Sequence, residues 1–355
     1  MTKNNPKKVF IGMSGGVDSS VSALLLKEAG FDVTGVFIKV WHPDFIPCNW
    51  RAEMQDAMRI CAKLEIPFLT CDSEKEYKEG VIDYMISEYE KGNTPNPDVM
   101  CNKYVKFDSF LKFALEKGAD FIATGHYAQN IEKDNHFYFS ESKDKEKDQT
   151  YFLWNINQEI LSHTLFPIGH LEKKEVRYIA EKNNLITADK KDSQGLCFIG
   201  NINMKEFLKN YIETVPGDVL DEQNEVIGKH EGSILYTIGE RHGFEIFEKT
   251  DSDLPYFVIS KNKENNSITV SNNKKDFSKK KVILIDVNFI REANILNTEI
   301  TARTRYRQKL ENCKIINQDN KNLTVLFNNS QKDITSGQSV VFYKDRECLG
   351  GGVIS

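Results

Sequence analysis

The chain has 355 residues, 40 % hydrophobic and 28 % charged, with a formal net charge of −5 at neutral pH. That is longer than one domain needs, so two or three are expected. The composition excludes several classes. No apolar run approaches the roughly 18 residues of a membrane span, the polar start "MTKNNPKK" lacks the apolar core of a signal peptide, and the negative balance argues against broad, non-specific nucleic-acid binding while leaving room for local basic patches. Seven cysteines, at 48, 61, 71, 101, 197, 313 and 348, are an odd number spread over the whole length. That pattern points to a reducing cytoplasm rather than a disulfide scaffold. None has C-x-x-C spacing, so no zinc knuckle or iron–sulfur centre of that type is expected.

In chain order, "KVFIG" is short, apolar and β-branched and reads as a buried strand. Val17, Val21, Leu24 and Leu25 then recur at helical spacing, and Gly30 closes the run. Between them lies "MSGGVDSS", a strand–turn–helix loop whose backbone N–H groups and helix N-terminus converge on a point suited to a phosphate. It carries no lysine and so is not a Walker A loop, and its spacing fails G-x-G-x-x-G. A plain βα turn with capping serines would share the composition.

The pattern continues with "FDVTGVFIKVW" as a second strand, a helix with Met54, Ala57, Met58, Cys61 and Leu64 on one face, and "IPFLTC" as a third strand. A helix through Tyr77, Val81, Tyr84 and Met85 ends near Gly92. "KFDSFLKFALEKGA" is another helix and "DFIATGHY" another strand. Strands alternating with helices predict a parallel sheet covered on both faces, with ligands at the carboxyl ends of its strands. "MSGGVDSS" and "TGHY" both lie there and are expected to meet.

"NTPNPDVMCNKYVKF", residues 93–107, has two prolines that fix a turn, then Asp98, then Cys101 ahead of a helical run with Lys103 and Lys106 close behind. A helix N-terminus and nearby ammonium groups lower a thiol pKa; a small buried cysteine is the alternative. "SESKDKEKDQ", 140–149, reads as an exposed, mobile charged loop. Helical patterns resume over 156–183 and 203–213. Within "KKDSQGLCFIG", Cys197 sits on a loop, either reactive or packed, and Asp192 and its lysines suit solvated loop charge. From Val215 onward short β-like runs and turn residues dominate, and "NNKKDFSKKK" forms a lysine-rich joint before a final block that suggests a small barrel or sandwich. In that block "ITARTRYRQ" reads as a strand with Arg303, Arg305 and Arg307 on one face, better matched to phosphate contact than to a solvated edge.

The stretches "GMSGGVDSS", "NPDVMCN", "ATGHYA", "KDQTYFL", "LFPIGHLEK", "KDSQGLCFIG", "ARTRYRQ" and "SGQSVVFY…CLGGGVI" run in order over nearly the whole chain. Together they resemble the bacterial tRNA-specific 2-thiouridylases, whose first motif is the PP-loop of AMP-forming ATP pyrophosphatases. The resemblance implies an α/β fold with a PP-loop domain over residues 1–212, a small central β-rich domain over 213–275 and a C-terminal tRNA-binding β-barrel over 276–355. It implies ATP-dependent 2-thiolation of the wobble uridine (U34) of tRNAs for Lys, Glu and Gln, in the cytoplasm, with sulfur delivered by a relay protein or a cysteine desulfurase. Gly12, Met13, Ser14, Gly15, Gly16, Val17, Asp18 and Ser19 would cradle ATP. Ile38, where the family often has Met, and Gly125 would touch the adenosine. Asn96, Pro97 and Asp98 would meet the target base, Cys101 would be the nucleophile and Cys197 the persulfide carrier. His126, Lys147, Asp148, Gln149, Arg305, Tyr306 and Gln338 would contact tRNA. Mg²⁺ would neutralise the triphosphate, with Asp18 as a helper and no metal held by the protein alone. Adenylating the C2 oxygen makes AMP the leaving group, and Asp98 would act as general acid and base. The two cysteines are expected to meet over the ATP site, with the loop around Cys197 moving between activation and sulfur transfer. The rivals are another AMP-forming PP-loop tRNA-modifying enzyme and a non-catalytic tRNA-binding protein.

Overall fold

The computed structural model describes residues 5–46, 50–192, 195–248, 254–273, 278–291, 295–318, 322–332 and 334–355. Cys48, Ser193 and Gln194 of the Cys197 motif, and the 275/276 boundary within the lysine-rich joint lie outside them.

Among the described residues the first sheet is entirely parallel. β1 (Lys8–Gly12), β2 (Asp32–Lys39), β3 (Phe68–Asp72), β4 (Phe121–Ala123) and a short strand at Thr164–Leu165 stand in the order β3-β2-β1-β4 followed by that short strand. Chain order reverses between β1 and β4, which opens a crevice beyond their carboxyl ends, the place where such sheets bind ligands. Both faces are covered. Val9 and Ile11 pack on one side with Val17 and Val21 of α1 (Val17–Glu28), whereas Phe10 between them packs on the other with Phe110 and Ile38. α2 (Trp50–Lys63) joins the first layer through Ala57 and Ile60.

Two helical segments are wider than the periodicity suggests. α3 (Glu74–Tyr77) and α4 (Tyr84–Glu90) flank a π-helical stretch at Lys78–Asp83. α5 (Pro97–Met100) leads into a second, Cys101–Ser109, and then α6 (Phe110–Glu116). Cys101 therefore lies inside the helical run rather than ahead of it. The 156–183 region is not one helical stretch: α7 (Gln158–Ser162) ends at the short edge strand, β7 (Thr164–Leu165), and α8 (Lys173–Lys182) follows, with α9 (Met204–Lys209) later. Between β4 and α7 a hairpin was not anticipated, β5 (Ala128–Lys133) with β6 (His136–Glu141).

The reading of 140–149 as an exposed mobile loop holds for the exposure of Lys143, Lys145 and Glu146 but is corrected at the two ends of the stretch. Glu141, Ser142 and Asp148 are buried. Asp148 accepts from the Ser142 N–H at 3.1 Å and the Thr150 hydroxyl at 2.8 Å, and Glu141 pairs with Arg303. The charges are inside because a cation reaches them from the far end of the chain.

The second sheet holds β8 (Gly217–Leu220), β9 (Val226–His230), β10 (Phe244–Ile246), β11 (Phe257–Asn262) and β12 (Ser267–Ser271), in the order β10-β9-β8-β12-β11. The third contains β13 (Lys279–Phe289), β14 (Glu299–Arg303), β15 (Glu311–Gln318), β16 (Leu323–Gln331), β17 (Ser339–Lys344) and β18 (Glu347–Ile354). Pairing of β13 with both β16 and β18 closes these antiparallel strands into a barrel, and the β5–β6 hairpin attaches at Ser140 opposite Glu347. Among the described residues no helix is long and apolar enough to cross a membrane.

The arginine face is also corrected. β14 ends at Arg303, and the Gln308 side-chain oxygen accepts from the N–H groups of Thr304 (2.7 Å) and Arg305 (3.1 Å), pulling the chain into a turn with Arg307 at φ +62°. Arg303 is buried, 4.6 Å over the Tyr343 ring and 3.6 Å from Asp148; Arg305 and Arg307 are exposed. The alternation that would place all three on one face does not extend past the strand.

Candidate active site

Three groups of side chains converge near the carboxyl ends of the parallel strands. The first is the glycine loop. β1 stops at Gly12, the Met13 N–H still reaches the Val36 carbonyl at 2.8 Å, and Gly15 turns the chain with φ +69°, a conformation that costs glycine little. A Cβ on Gly15 would sit 2.5 Å from the Glu53 carbonyl oxygen. The serines brace the turn internally: Ser14 and Ser19 hydroxyls lie 3.2 Å apart, and Ser20 donates to the Gly16 carbonyl at 2.8 Å. No side chain caps α1 at Gly16, which leaves that helix end to a ligand. The two strand ends meet as expected: a Cβ on Gly125 would lie 2.8 Å from the Ser19 nitrogen, so glycine is what allows the approach. Ile38 is buried, its Cδ1 3.7 Å from where a Gly12 Cβ would be.

Asp18 is partly exposed and held by two partners. Its carboxylate accepts from the Tyr127 hydroxyl at 2.8 Å and, through both oxygens, from Lys173 Nζ at 2.8 Å. Lys173, at the start of α8, also meets Asp192 at 2.8 Å, and Asp192 takes Lys147 at 2.7 Å and Arg177 at 3.1 Å. Burial pushes the Asp192 carboxyl up, but hydrogen bonds from Lys147 and Lys173 outweigh it and hold the group at about 2. The loop charge at Asp192 is thus the hub of a network that reaches the glycine loop.

The second group is the cysteine pair. Cys101 is fully buried and Cys197 partly exposed; both are free, and each thiol shifts the titration of the other. The loop carrying Cys197 is pinned from two sides, its N–H donating to Asp98 Oδ1 at 3.2 Å and its carbonyl accepting from the Tyr77 hydroxyl at 2.7 Å. Lys106, on the π-helical stretch, sits 3.4 Å from His126 Nε2 and 5.6 Å over the Phe198 ring, and its charge acts on both thiols. Donation from Cys101, opposed by burial and aided by Lys106, brings the Cys197 thiol down to about 7. Burial, and then the bond to Cys197, push Cys101 up. Cys197 is thus the more acidic of the two thiols: Lys106 lowers it as well as Cys101, and Lys103 lies over Tyr104. Burial raises the Asp98 carboxyl, with Lys106 and the Cys197 N–H opposing.

The third group lines a cavity of about 420 Å³ formed by Thr94, Pro95, Asn96, Pro97, Tyr151, Phe152, Thr237, Arg305, Tyr306, Thr335 and Gln338. Its aromatic wall is Tyr151, Phe152 and Tyr306, with the last two ring centroids 4.6 Å apart. Gln338 donates to the carbonyls of Thr94 (2.8 Å) and Pro95 (3.2 Å), so the barrel holds the proline turn in place. The structure thus gathers Asn96, Pro97, Arg305, Tyr306 and Gln338 around one space, with Asp98 a residue further on against Cys197. It does not bring His126, Asp148 or Gln149 there. His126 is buried, with Thr124 on one ring nitrogen and Lys106 on the other; Asp148 belongs to the Arg303 cluster; Gln149 accepts from the Tyr127 N–H at 2.9 Å. Lys147 lies with the Asp192 network. Lys173 and Tyr127 carried no assigned role in the sequence, because a lysine opening a helix looks like any other until its partner, 155 residues away, is known.

Among known families, residues 7–201 match the tRNA methyl transferase HUP domain, 205–272 its PRC-barrel domain and 279–354 the aminomethyltransferase beta-barrel domain. The chain is 43 % identical over 360 residues to the tRNA-specific 2-thiouridylase MnmA of Oceanobacillus iheyensis, covering 100 % of this chain and 96 % of that one. It is 45 % identical over 356 residues to the protein of the same name from Francisella tularensis subsp. holarctica, covering 98 % and 99 %.

Proposed function

This chain belongs to the tRNA-specific 2-thiouridylase family, and from that premise we propose that it is a tRNA sulfurtransferase that activates the C2 oxygen of the wobble uridine with ATP and replaces it with sulfur. The observation that carries the reading is the succession Asn96–Pro97–Asp98: the first two line an aromatic cavity large enough for an unstacked base, and the third touches the backbone of an acidic cysteine.

The chemistry follows from the groups in place. The anticodon base leaves its stack and lies against Tyr151, Phe152 and Tyr306, as single-stranded RNA bases do on aromatic side chains. The glycine loop and the N-terminus of α1 hold the nucleotide. Mg²⁺ entering with ATP would neutralise triphosphate oxygens, with Asp18 the carboxylate in the loop itself. The uracil O2 attacks the α-phosphorus, the bond to the β-phosphate oxygen breaks, and pyrophosphate leaves. Asp98, raised by burial, takes the proton lost from N3.

Cys197 suits the persulfide, being the more acidic and more exposed thiol. Cys101 attacks its inner sulfur. The terminal sulfur leaves as hydrosulfide with two electrons, adds to C2 and displaces AMP. Cys101 and Cys197 end as a disulfide, which a dithiol must reduce before the next turn. A sulfur-relay protein or cysteine desulfurase would load Cys197, and tRNAs for Lys, Glu and Gln are the proposed substrates.

The test is to incubate the protein with tRNA, ATP, Mg²⁺ and a sulfide source, and to analyse nucleosides by mass spectrometry and nucleotides by chromatography. 2-Thiouridine with AMP and pyrophosphate supports the reading. ADP and orthophosphate, another modified base, or an unchanged tRNA contradicts it.

A further inference from the structure

We propose that His126 is a positioning residue for sulfur transfer: as a neutral hydrogen-bond acceptor it holds the Lys106 ammonium at the Cys101–Cys197 pair. The inference rests on the sulfur-transfer reading of that pair and adds to it a residue that the steps above do not use. Lys106 lies one π-helical turn beyond Cys101, on the stretch Cys101–Ser109. In an α-helix a residue at that spacing would point about 140° away. A π-helical turn closes i→i+5 hydrogen bonds and brings Lys106 back toward the side of Cys101. Its charge lowers both thiols. An ammonium on a flexible four-carbon stem keeps such a place where its surroundings hold it. Here the Phe198 ring lies 5.6 Å from Nζ, and His126 Nε2 lies 3.4 Å from it.

The proton positions follow from the donors. An ammonium donates and cannot accept, so His126 Nε2 accepts from Lys106. The ring proton is then on Nδ1, and it donates to the Thr124 hydroxyl oxygen at 2.8 Å. Thr124 and His126 are both buried just beyond β4. The imidazole packs on Phe107 and Phe166, with ring centroids 5.8 and 6.4 Å away, so its orientation is fixed as well as its tautomer. Burial, and then the Lys106 charge, hold His126 well below its ordinary value. Burial works against the Lys106 ammonium too, but the charges of Cys197 and Cys101 outweigh it. The lysine therefore stays charged and the imidazole neutral, and the two roles do not exchange. The other titratable groups at the thiols are Asp98, whose charge raises both, and Tyr77, whose hydroxyl donates to the Cys197 carbonyl. With both ring nitrogens engaged and the ring buried, His126 acts on the sulfur through Lys106.

The test is timed iodoacetamide alkylation of Cys197 against pH in the full chain, without tRNA or ATP, read by peptide mass spectrometry. It compares the wild type, His126→Leu, His126→Gln, Lys106→Met and the double variant His126→Leu/Lys106→Met. His126→Leu should move the midpoint up by about one pH unit, the lower end of what a neighbouring opposite charge supplies. His126→Gln, whose amide oxygen can stand in for Nε2 as acceptor, should recover most of that shift. The double variant should move no further than Lys106→Met, because two residues that act through one group do not add. A wild-type midpoint in His126→Leu, an equal shift in His126→Gln, or a double variant that moves by the sum of the two overturns the proposal. None of these outcomes needs thiolation, so a protein that makes no 2-thiouridine contradicts the sulfur-transfer reading separately. Should the variants not fold, the ring ¹⁵N resonances of His126 in the wild type, assigned through its contacts with Phe107 and Phe166, decide. A neutral ring carrying its proton on Nδ1 down to about pH 5, well below an ordinary histidine, supports the assignment. An Nε2–H tautomer, or an imidazolium above that pH, overturns it.

Discussion

The N–H of Cys197 donates to Oδ1 of Asp98 at 3.2 Å, tying the Cys197 loop to α5, 99 residues away in the chain. The carboxylate also raises the Cys197 thiol by its charge, against the lowering by Cys101 and Lys106. Asp98→Asn keeps an oxygen acceptor for that N–H but removes both the charge and the proton chemistry. Thiolation should fall by about 10²–10⁴, the range of a general acid–base catalyst, while the pH midpoint for Cys197 alkylation moves down. A variant that thiolates at the wild-type rate would remove Asp98 from the mechanism.

Cys197 should titrate near neutrality. With its thiol at about 7, alkylation by iodoacetamide should rise with pH, reach half its limit near pH 7 and fall about tenfold per unit below it, because only the thiolate reacts. Cys101, fully buried and pushed up, should stay unmodified over the same range. Lys106 stabilises the Cys197 thiolate, so Lys106→Met should move the midpoint upward. Peptide mass spectrometry after timed alkylation reads both sites. Preferential labelling of Cys101, or no shift in Lys106→Met, would reverse the assignment.

Arg303 and Arg305 should fail in different ways. Arg303 is buried against Glu141 and Asp148, and removing one partner of such a cluster costs about 3–5 kcal/mol. Arg303→Met should therefore lower the melting temperature and leave the salt dependence of tRNA binding alone. Arg305 lines the cavity from an exposed turn; Arg305→Ala should reduce the slope of log affinity against log salt by about one ion pair at unchanged stability. Calorimetry and filter binding at several salt concentrations separate them, and the reverse pattern would exclude Arg305 from the interface.

These contrasts also show what a sequence can carry. "MSGGVDSS" was legible because its signal is local: glycines, serines and a helix start within a few residues, flanked by apolar periodicity. The parallel sheet followed from the same alternation. What escaped depends on distant partners. Glu141 and Asp148 look like solvated charge until Arg303 arrives across the β5–β6 attachment to the barrel. The arginine stripe failed because Gln308, a side chain rather than a backbone pattern, turns the chain after Arg303. Lysines close to Cys101 in sequence suggested its activation, but Lys106 extends to Cys197, and burial dominates at Cys101.

The central claim is that Cys101 expels the terminal sulfur from a Cys197 persulfide and that the two cysteines become a disulfide in each turnover. Each thiol already shifts the titration of the other, and a pair that closes and reopens in each turn is a transient, catalytic disulfide. The most direct measurement loads Cys197 with persulfide, removes reductant, adds tRNA and Mg²⁺·ATP, and counts 2-thiouridine per enzyme while mapping the cysteines. The account predicts at most one thiolated tRNA per enzyme, a Cys101–Cys197-linked peptide pair in the stalled protein, and a restart on adding dithiol. Sustained turnover by Cys101→Ser without reductant, or a stalled enzyme with both thiols free, would contradict it.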